Sequence, residues 1–293
     1  MADLLAQQPL LAYVAVALLG LIVGSFLNVV ILRLPRMMEA QWRAGAAEIL
    51  GQPADAEAPV ELSLARPRSR CNSCQTPIRA WHNIPVVSYL LLRGRCAACG
   101  ARISWQYPAV EITAAVMAVI VLAGFGATPF TPLAMVVSWT LLALAVIDAR
   151  TQFLPDVLTL ALMWLGLLAS LGHGAGAALV DPNTAIAGAA GGYLTLWLVF
   201  HAFLLATGKE GMGFGDFKLL AAIGAWLGWQ ALPMVLLLAS LGGAVVGGLL
   251  MASGHLARGR PMPFGPWLAL AGWLALVAGD TISGAYSSLA GLN

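Results

Sequence analysis

The chain is dominated by long apolar stretches that carry almost no charge. A helix that crosses a bilayer needs about 20 mostly apolar residues, and eight segments are candidates for such a crossing. They cover residues 9–32, 107–125, 131–147, 157–172, 184–206, 217–229, 231–252 and 264–282. The segment 217–229 is short and Pro233 follows it, so a partly re-entrant helix is the alternative there. We expect an α-helical polytopic membrane protein with about eight transmembrane helices.

Composition points the same way. Apolar residues make up 60% of the chain and charged residues 10%, whereas soluble domains carry about 25% charged residues. Most of this chain should therefore face lipid, which excludes a soluble enzyme, a disordered protein and a nucleic-acid-binding protein. Glycines within the apolar segments are expected to permit close helix packing. They are Gly188, Gly191, Gly192, Gly242, Gly243, Gly247 and Gly248.

The basic residues predict the orientation of the chain in the membrane. Ten of the 15 Lys and Arg residues lie between residues 33 and 102. The others are Arg150, Lys209, Lys218, Arg258 and Arg260. With eight crossings all of them fall on one side, which the positive-inside rule assigns to the cytoplasm, so both termini are expected outside it. No basic residue precedes residue 33, so the first segment is expected to be retained rather than cleaved as a signal peptide.

One polar segment, residues 33–106, interrupts the apolar pattern. It holds ten basic and five acidic residues, which gives a net charge of +5. This charge suits the anionic inner leaflet, although the positive-inside bias alone explains it equally well. We expect three parts: a first transmembrane helix (1–32), a cytoplasmic domain (33–106) and a seven-helix membrane domain (107–293).

All four cysteines lie in the polar segment as two Cys-x2-Cys pairs, Cys71 with Cys74 and Cys96 with Cys99. Each pair can present two thiolates to one tetrahedral metal ion, and four thiolates leave no open coordination position. The pattern therefore predicts one structural zinc ion. Reduced free thiols and a redox-active pair are the alternatives, while structural disulfides are not expected in the cytoplasm.

Four carboxylates lie inside or at the edge of the predicted membrane segments: Glu111, Asp148, Asp156 and Asp216. Burying such groups in a membrane is costly, so they are functional candidates. The predicted topology puts Asp148 and Asp216 at the same cytoplasmic depth. Two close aspartates can act as a protease pair, in which one carboxylate activates water while the other carboxyl keeps its proton.

Simpler roles compete for these acids. Gly213 and Gly215 leave room for an extended substrate backbone beside Asp216, but Asp216 can also be the N-cap of the next helix. Asp156 competes with Asp148 for the first catalytic place, and N-capping is its simpler explanation. Glu111 is a candidate for a structural or an active-site acid, which either receives a hydrogen bond within the bundle or pairs with an arginine.

Six short motifs are spread over nearly the whole chain. They are GSFLNVVILRLP (24–35), IPVVSY (84–89), YPAVE (107–111), ID with LPD (147–156), GFGDFKLL (213–220) and PFGP (263–266). Together with the two Cys-x2-Cys pairs between them, these motifs resemble the type IV prepilin peptidases. The full-length members of that family are bifunctional leader peptidases and N-methyltransferases.

The resemblance implies two catalytic aspartates, Asp148 and Asp216, in a GxGD-type aspartic protease of the bacterial inner membrane. The remaining residues of the two aspartate motifs are expected to support them; among these are Gly213, Gly215, Asp156 and Lys218. The active site and the zinc domain would lie on the cytoplasmic side, with both termini in the periplasm. The substrates would be type IV prepilins or pseudopilins, whose short basic leader is removed.

The resemblance also implies a second reaction on the same substrate. The new N-terminal amine would be methylated with S-adenosylmethionine as the methyl donor. In the family this activity is associated with the cytoplasmic segment and with Gly94 and Arg95. Lysine is common where Arg95 stands, and the two side chains keep the same charge but are not equivalent donors.

Three other functions account for part of the pattern. A proton-coupled transporter explains the buried acids but gives the cysteines no role. A scaffold of a pilus or secretion machine would use the zinc domain for docking and would tolerate the loss of both aspartates. A leader peptidase without methyltransferase activity is the third, and the retention of all four cysteines argues against it.

Overall fold

The computed structural model describes residues 9–51, 62–254 and 262–289, so Arg258 and Arg260 lie outside the described part of the chain. These residues form helices, with two isolated β-bridges and no strand among them. The α-helices are α1 (Pro9–Ile49), α2 (Val87–Leu91), α3 (Gln106–Phe125), α4 (Phe130–Thr151), α5 (Asp156–Ser170), α6 (Pro182–Thr207), α7 (Phe214–Leu227), α8 (Leu232–Ala252) and α9 (Gly265–Leu289). Each of the eight predicted membrane segments overlaps one of these helices, with bounds that differ by up to 17 residues at the end of α1.

Within the described part of the chain, five helical segments are long and apolar enough to cross a membrane: Pro9–Ile49, Gln106–Phe125, Phe130–Thr151, Pro182–Thr207 and Trp229–Ala252. The protein is therefore a multi-pass membrane protein. The other apolar helices are shorter or less regular. The 14 residues of α7 extend about 21 Å at 1.5 Å per residue, which is less than the roughly 30 Å of a hydrocarbon core.

The chain forms two compact units, Met1–Val119 and Ile120–Asn293. In the first unit, α1 packs on α3 through glycines of the GSFLN region. A Cβ atom at Gly24 would lie 2.6 Å from the Cα atom of Glu111, so only glycine permits this approach. Beside this contact the buried Asn28 side chain donates a 3.1 Å hydrogen bond to the carbonyl oxygen of Tyr107.

The first helix continues well beyond the predicted membrane segment, residues 9–32. It runs to Ile49 and contains Pro35. The continuation is rich in Ala, Glu, Met, Gln and Arg, which are good helix formers. Arg33 then anchors the segment that follows, because its guanidinium donates hydrogen bonds of 2.8 and 2.7 Å to the carbonyl oxygens of Ser63 and Pro67.

In the second unit, α7 is the most enclosed helix. Ten of its 14 residues are buried, among them Phe217, Leu220 and Trp226. The Trp226 indole donates a 2.8 Å hydrogen bond to the carbonyl oxygen of Leu162 in α5. Because α7 is surrounded by protein, its first turn, which carries Asp216, is held at a fixed place in the second unit.

The glycine prediction is confirmed where α6 meets α7. A Cβ at Gly188 would overlap the backbone of Gly224, and one at Gly192 would lie 2.6 Å from the carbonyl oxygen of Leu220. The prediction is wrong for Gly248, since a Cβ there would meet no described atom within 4 Å. Glycine in an apolar segment therefore marks a close helix contact at some positions only.

Candidate active site and metal centre

Asp148 lies in the last turn of α4 and is 5% exposed. Its Oδ2 atom accepts a 3.0 Å hydrogen bond from the backbone N–H of Gly265, which is 117 residues away and begins α9. A Cβ at Gly265 would lie 2.7 Å from the same oxygen. The glycine of the PFGP motif thus has a role that the sequence did not indicate: it brings a backbone donor against a buried carboxyl group.

Asp216 is the third residue of α7 and is 7% exposed. The N-cap of α7 is Gly213, so the N-cap interpretation of Asp216 is wrong. The Asp216 carboxyl instead accepts a hydrogen bond from the Gly213 backbone and interacts electrostatically with Asp148. The structure thus brings together two buried aspartates that the sequence separates by 67 residues.

Leu154 is a shared neighbour of the two aspartate-bearing segments. It is 4% exposed. A Cβ at Gly215 would lie 2.7 Å from the Leu154 Cβ, and a Cβ at Gly265 would lie 3.2 Å from its Cδ1. The space left by Gly215 is therefore filled by Leu154 rather than kept for substrate. Gly213 differs, because a Cβ there would meet no described atom within 4 Å.

Asp156 and Lys218 form an ion pair between α5 and α7. The Lys218 ammonium donates to both carboxylate oxygens, at 2.7 and 2.6 Å. The side chains are 48% and 28% exposed, with Asp156 the more exposed. Pro155 is the N-cap of α5 and Asp156 is its first residue, so the N-cap interpretation of Asp156 is wrong. This ion pair links the start of α5 to the start of α7. Lys218 lies two residues after Asp216 in the sequence.

The four cysteines form one cluster. The Sγ atoms of Cys71, Cys74, Cys96 and Cys99 all lie within 4.8 Å of one another, and those of Cys71 and Cys99 are 3.9 Å apart. A zinc–sulfur bond of about 2.3 Å gives a tetrahedron whose sulfur atoms are about 3.8 Å apart. The donor set and its spacing therefore fit a single tetrahedral metal ion.

Two similar turns produce this cluster. In the first turn the Cys71 N–H donates to the Thr76 carbonyl oxygen, and the Gln75 N–H donates to the Cys71 carbonyl oxygen. The second turn repeats this pattern, with Cys96 donating to Ala101 and Gly100 donating to Cys96. Hydrogen bonds with Thr76 lower the pKa of the Cys74 thiol to about 6.

Glu111 is a buried carboxyl, 7% exposed, in the second turn of α3. Its Oε2 atom accepts a 2.7 Å hydrogen bond from the backbone N–H of Val86, and the Ser25 side chain also bonds to it. Its partners are therefore a backbone N–H of the polar segment and a hydroxyl of α1.

Gly94 and Arg95 precede the second cysteine turn. Gly94 is buried with a φ of +66°, and a Cβ there would lie 3.0 Å from the ring of Tyr89. Arg95 is exposed, and its backbone pairs with that of Arg102 in a β-bridge. An exposed guanidinium beside a buried left-handed glycine can bind an anionic group such as a carboxylate.

Two family models match the chain: "Bacterial Peptidase A24 N-terminal domain" over residues 18–125, and "Type IV leader peptidase family" over residues 135–248. A curated relative from Pseudomonas aeruginosa is named prepilin leader peptidase/N-methyltransferase. It is 50% identical over 290 residues, which are 99% of this chain and 98% of the relative. The chain belongs to the type IV leader peptidase family.

Further members of the family with the same name agree over most of their length. The relative from Pseudomonas putida is 48% identical over 287 residues, covering 98% of both chains. That from Neisseria gonorrhoeae is 45% identical over 282 residues, covering 96% of both chains. No solved structure matches the chain. Both aspartates lie in the region matched by the leader peptidase model, and the four cysteines lie in the region matched by the N-terminal-domain model.

Proposed function

We propose that this protein is a bifunctional enzyme that removes the leader of type IV prepilins or pseudopilins and then methylates the new N-terminus. The observation that carries the proposal is the pair of buried, electrostatically interacting carboxyls of Asp148 and Asp216. They lie in a chain that matches the whole length of relatives named for both activities. Scaffolding would leave this pair without a role, and transport would leave the cysteine cluster without one.

Leader cleavage is assigned to the aspartate pair. Two neighbouring carboxyl groups do not both ionise, so one carries a proton. Both carboxyls accept a backbone hydrogen bond, Asp148 from Gly265 and Asp216 from Gly213, and such bonds stabilise whichever group is ionised. In this proposal Asp148 has the ionised role and Asp216 the protonated role.

The chemistry follows from these two roles. Asp148 accepts a proton from water, and the resulting hydroxide forms a bond to the scissile carbonyl carbon while Asp216 donates to the carbonyl oxygen. Asp148 then gives its proton to the leaving nitrogen as the carbon–nitrogen bond breaks. The products are the leader with a free carboxyl group and the pilin with a free amine, which is the group that methylation uses.

Methyl transfer is assigned to the N-terminal unit. The separate match of residues 18–125 and of the leader peptidase region supports a division of the two activities. S-adenosylmethionine supplies a methyl group that is activated by its positively charged sulfur. In this proposal the exposed Arg95 pairs with the carboxylate of this donor, and Gly94 lets the chain turn beside it.

Zinc is proposed as the metal of the cysteine cluster. Four thiolates at tetrahedral spacing are the donor set of structural zinc sites, and they leave no position for a reacting water. The metal would hold the two cysteine turns together in a segment that has little apolar core. This role is structural and leaves the chemistry to the other residues.

For the membrane we propose eight crossings in the bacterial inner membrane, with the polar segment and the aspartates at the cytoplasmic face and both termini in the periplasm. The sorting of all 15 basic residues to one side supports this topology. The short helix α7 is enclosed by protein, so its length need not match the hydrocarbon core. In this proposal residues 1–32 are the first crossing, 33–106 the cytoplasmic domain and 107–293 the peptidase domain.

The proposal is tested by mass spectrometry of a prepilin incubated with the purified protein and S-adenosylmethionine in detergent. Leader loss together with the mass of one methyl group supports both activities. Leader loss alone supports the alternative of a peptidase without methyltransferase activity. An intact prepilin at high enzyme concentration would contradict the proposal and favour the transporter or the scaffold.

A further inference from the structure

Val86 has a backbone conformation that is unusual for its side chain. Its φ and ψ are 59° and −48°, immediately before α2 begins at Val87. A positive φ is rare outside glycine, and for a β-branched residue it is a true outlier. Such a conformation persists only where the surroundings hold it, and it concentrates at functional sites. Val86 lies in the IPVVSY motif, which has no role in the proposed cleavage mechanism.

A buried carboxylate holds Val86 in this conformation. The Glu111 Oε2 atom accepts a 2.7 Å hydrogen bond from the Val86 N–H, and Ser25 bonds to the same carboxyl group. The close approach of α1 at Gly24 encloses Glu111. Hydrogen bonds are stronger in such an apolar interior than in water. The buried Glu111 carboxyl therefore stabilises the strained backbone of Val86.

From Val86 a short and continuous set of contacts leads to Gly94. The N–H of Leu90 donates to the Val86 carbonyl at 3.0 Å within α2, and the N–H of Gly94 donates to the Tyr89 carbonyl at 2.8 Å. The Tyr89 ring packs where a side chain at Gly94 would be. The five residues of α2 therefore link the strained peptide directly to Gly94, next to Arg95.

We infer that Glu111 is a positioning residue for methyl transfer: by holding the Val86 peptide it fixes the segment 86–95 that receives the methyl donor. The inference rests on the proposed function, in which the N-terminal unit performs methylation. Glu111 acts through the backbone of Val86 and does not itself touch the reacting atoms. Leader cleavage needs neither residue, because both catalytic aspartates belong to the other unit.

The test separates positioning from simple helix packing. A leader-free pilin peptide is methylated with S-adenosylmethionine at varied concentration, and leader cleavage of intact prepilin is measured in parallel. Glu111→Ala removes the acceptor, Glu111→Gln keeps a carbonyl oxygen for the Val86 N–H, and Val86→Gly permits a positive φ without cost. Asn28→Ala is the matched control, since it removes another buried hydrogen bond between α1 and α3.

We expect Glu111→Ala to lower methylation about tenfold, through a higher KM for S-adenosylmethionine, with cleavage within about twofold of wild type. Glu111→Gln should retain most of the activity. Glu111→Ala with Val86→Gly should recover at least half of the loss, because glycine adopts a positive φ far more readily than valine.

Several results would overturn the inference. Unchanged methylation by Glu111→Ala would do so directly. A loss that Val86→Gly does not recover, and that Asn28→Ala shares in both reactions, would show that Glu111 only packs α3 on α1. A wild-type protein that cleaves prepilin and methylates no peptide would remove the proposed methyltransferase function, and this inference with it.

Discussion

At the scale of single residues, the aspartate pair depends on a glycine that begins another helix. The Gly265 N–H reaches Asp148, and any side chain at Gly265 would press against the Asp148 carboxyl. We expect Gly265→Ala to lower the rate of leader cleavage at least tenfold. General acid–base catalysis accelerates such reactions about 100-fold or more, and this acceleration requires correctly positioned carboxyl groups. The measurement is the initial rate of leader removal.

Gly248→Ala is the control for this substitution, since a Cβ there meets no described atom within 4 Å. It should cleave at the wild-type rate. If Gly265→Ala also cleaves at that rate, the hydrogen bond to Asp148 has no part in catalysis.

The ion pair of Asp156 and Lys218 gives a second prediction at this scale. Half-exposed ion pairs contribute about 0.2–1 kcal/mol, so Asp156→Asn should retain leader cleavage within about fivefold of wild type. The double change Asp156→Lys with Lys218→Asp should restore an ion pair and most of the lost activity. An inactive, folded Asp156→Asn protein would instead make Asp156 a catalytic residue.

At the scale of helices, the close contact of α6 with α7 fixes the position of Asp216. Gly188 packs on the backbone of Gly224, so Gly188→Ala forces the helices apart, at a cost of about 1–3 kcal/mol for overpacking. We expect a clearly lower melting temperature and weaker cleavage. Gly191→Ala is the matched control in the same helix, because its Cβ would only touch the Leu232 side chain at 3.4 Å. Equal melting temperatures for the two variants would contradict this account of the contact.

The sequence predicts the helices better than it predicts their contacts. Apolar runs locate α4 within a few residues, because length and apolarity are local properties of a membrane helix. The hydrogen bond between Gly265 and Asp148, and the ion pair of Asp156 with Lys218, join residues 117 and 62 positions apart. No local sequence pattern encodes contacts between residues so far apart. For this reason the sequence predicts only a local role for Asp156, that of an N-cap.

The same limit applies to Glu111. The sequence identifies it as a buried acid that is costly in a membrane. Its partner, however, is the backbone N–H of Val86. Every residue type except proline has a backbone N–H, so the sequence does not show which one is the partner. The cysteines are the opposite case. Their spacing alone predicts a tetrahedral cluster, because the short Cys-x2-Cys turn fixes the distance between its own two thiols.

At the scale of the whole molecule, the zinc site and the aspartates belong to different units. Purified protein should contain about one zinc ion per chain, as expected for four thiolates. Cys71→Ser should lower the metal content and the methylation rate more than cleavage, since it loosens the N-terminal unit only. Full methylation by a metal-free, folded protein would contradict a structural role for the metal.

The central claim is that the two reactions are divided between the two units, with cleavage at Asp148 and Asp216. The most direct measurement is mass spectrometry of two substrates, an intact prepilin and a leader-free pilin peptide, after incubation with Asp148→Asn protein and S-adenosylmethionine. We predict that the prepilin stays uncut, with cleavage at least about 100-fold slower than wild type, while the leader-free peptide is methylated at close to the wild-type rate. Cleavage at the wild-type rate, or loss of methylation in a folded protein, would contradict the account.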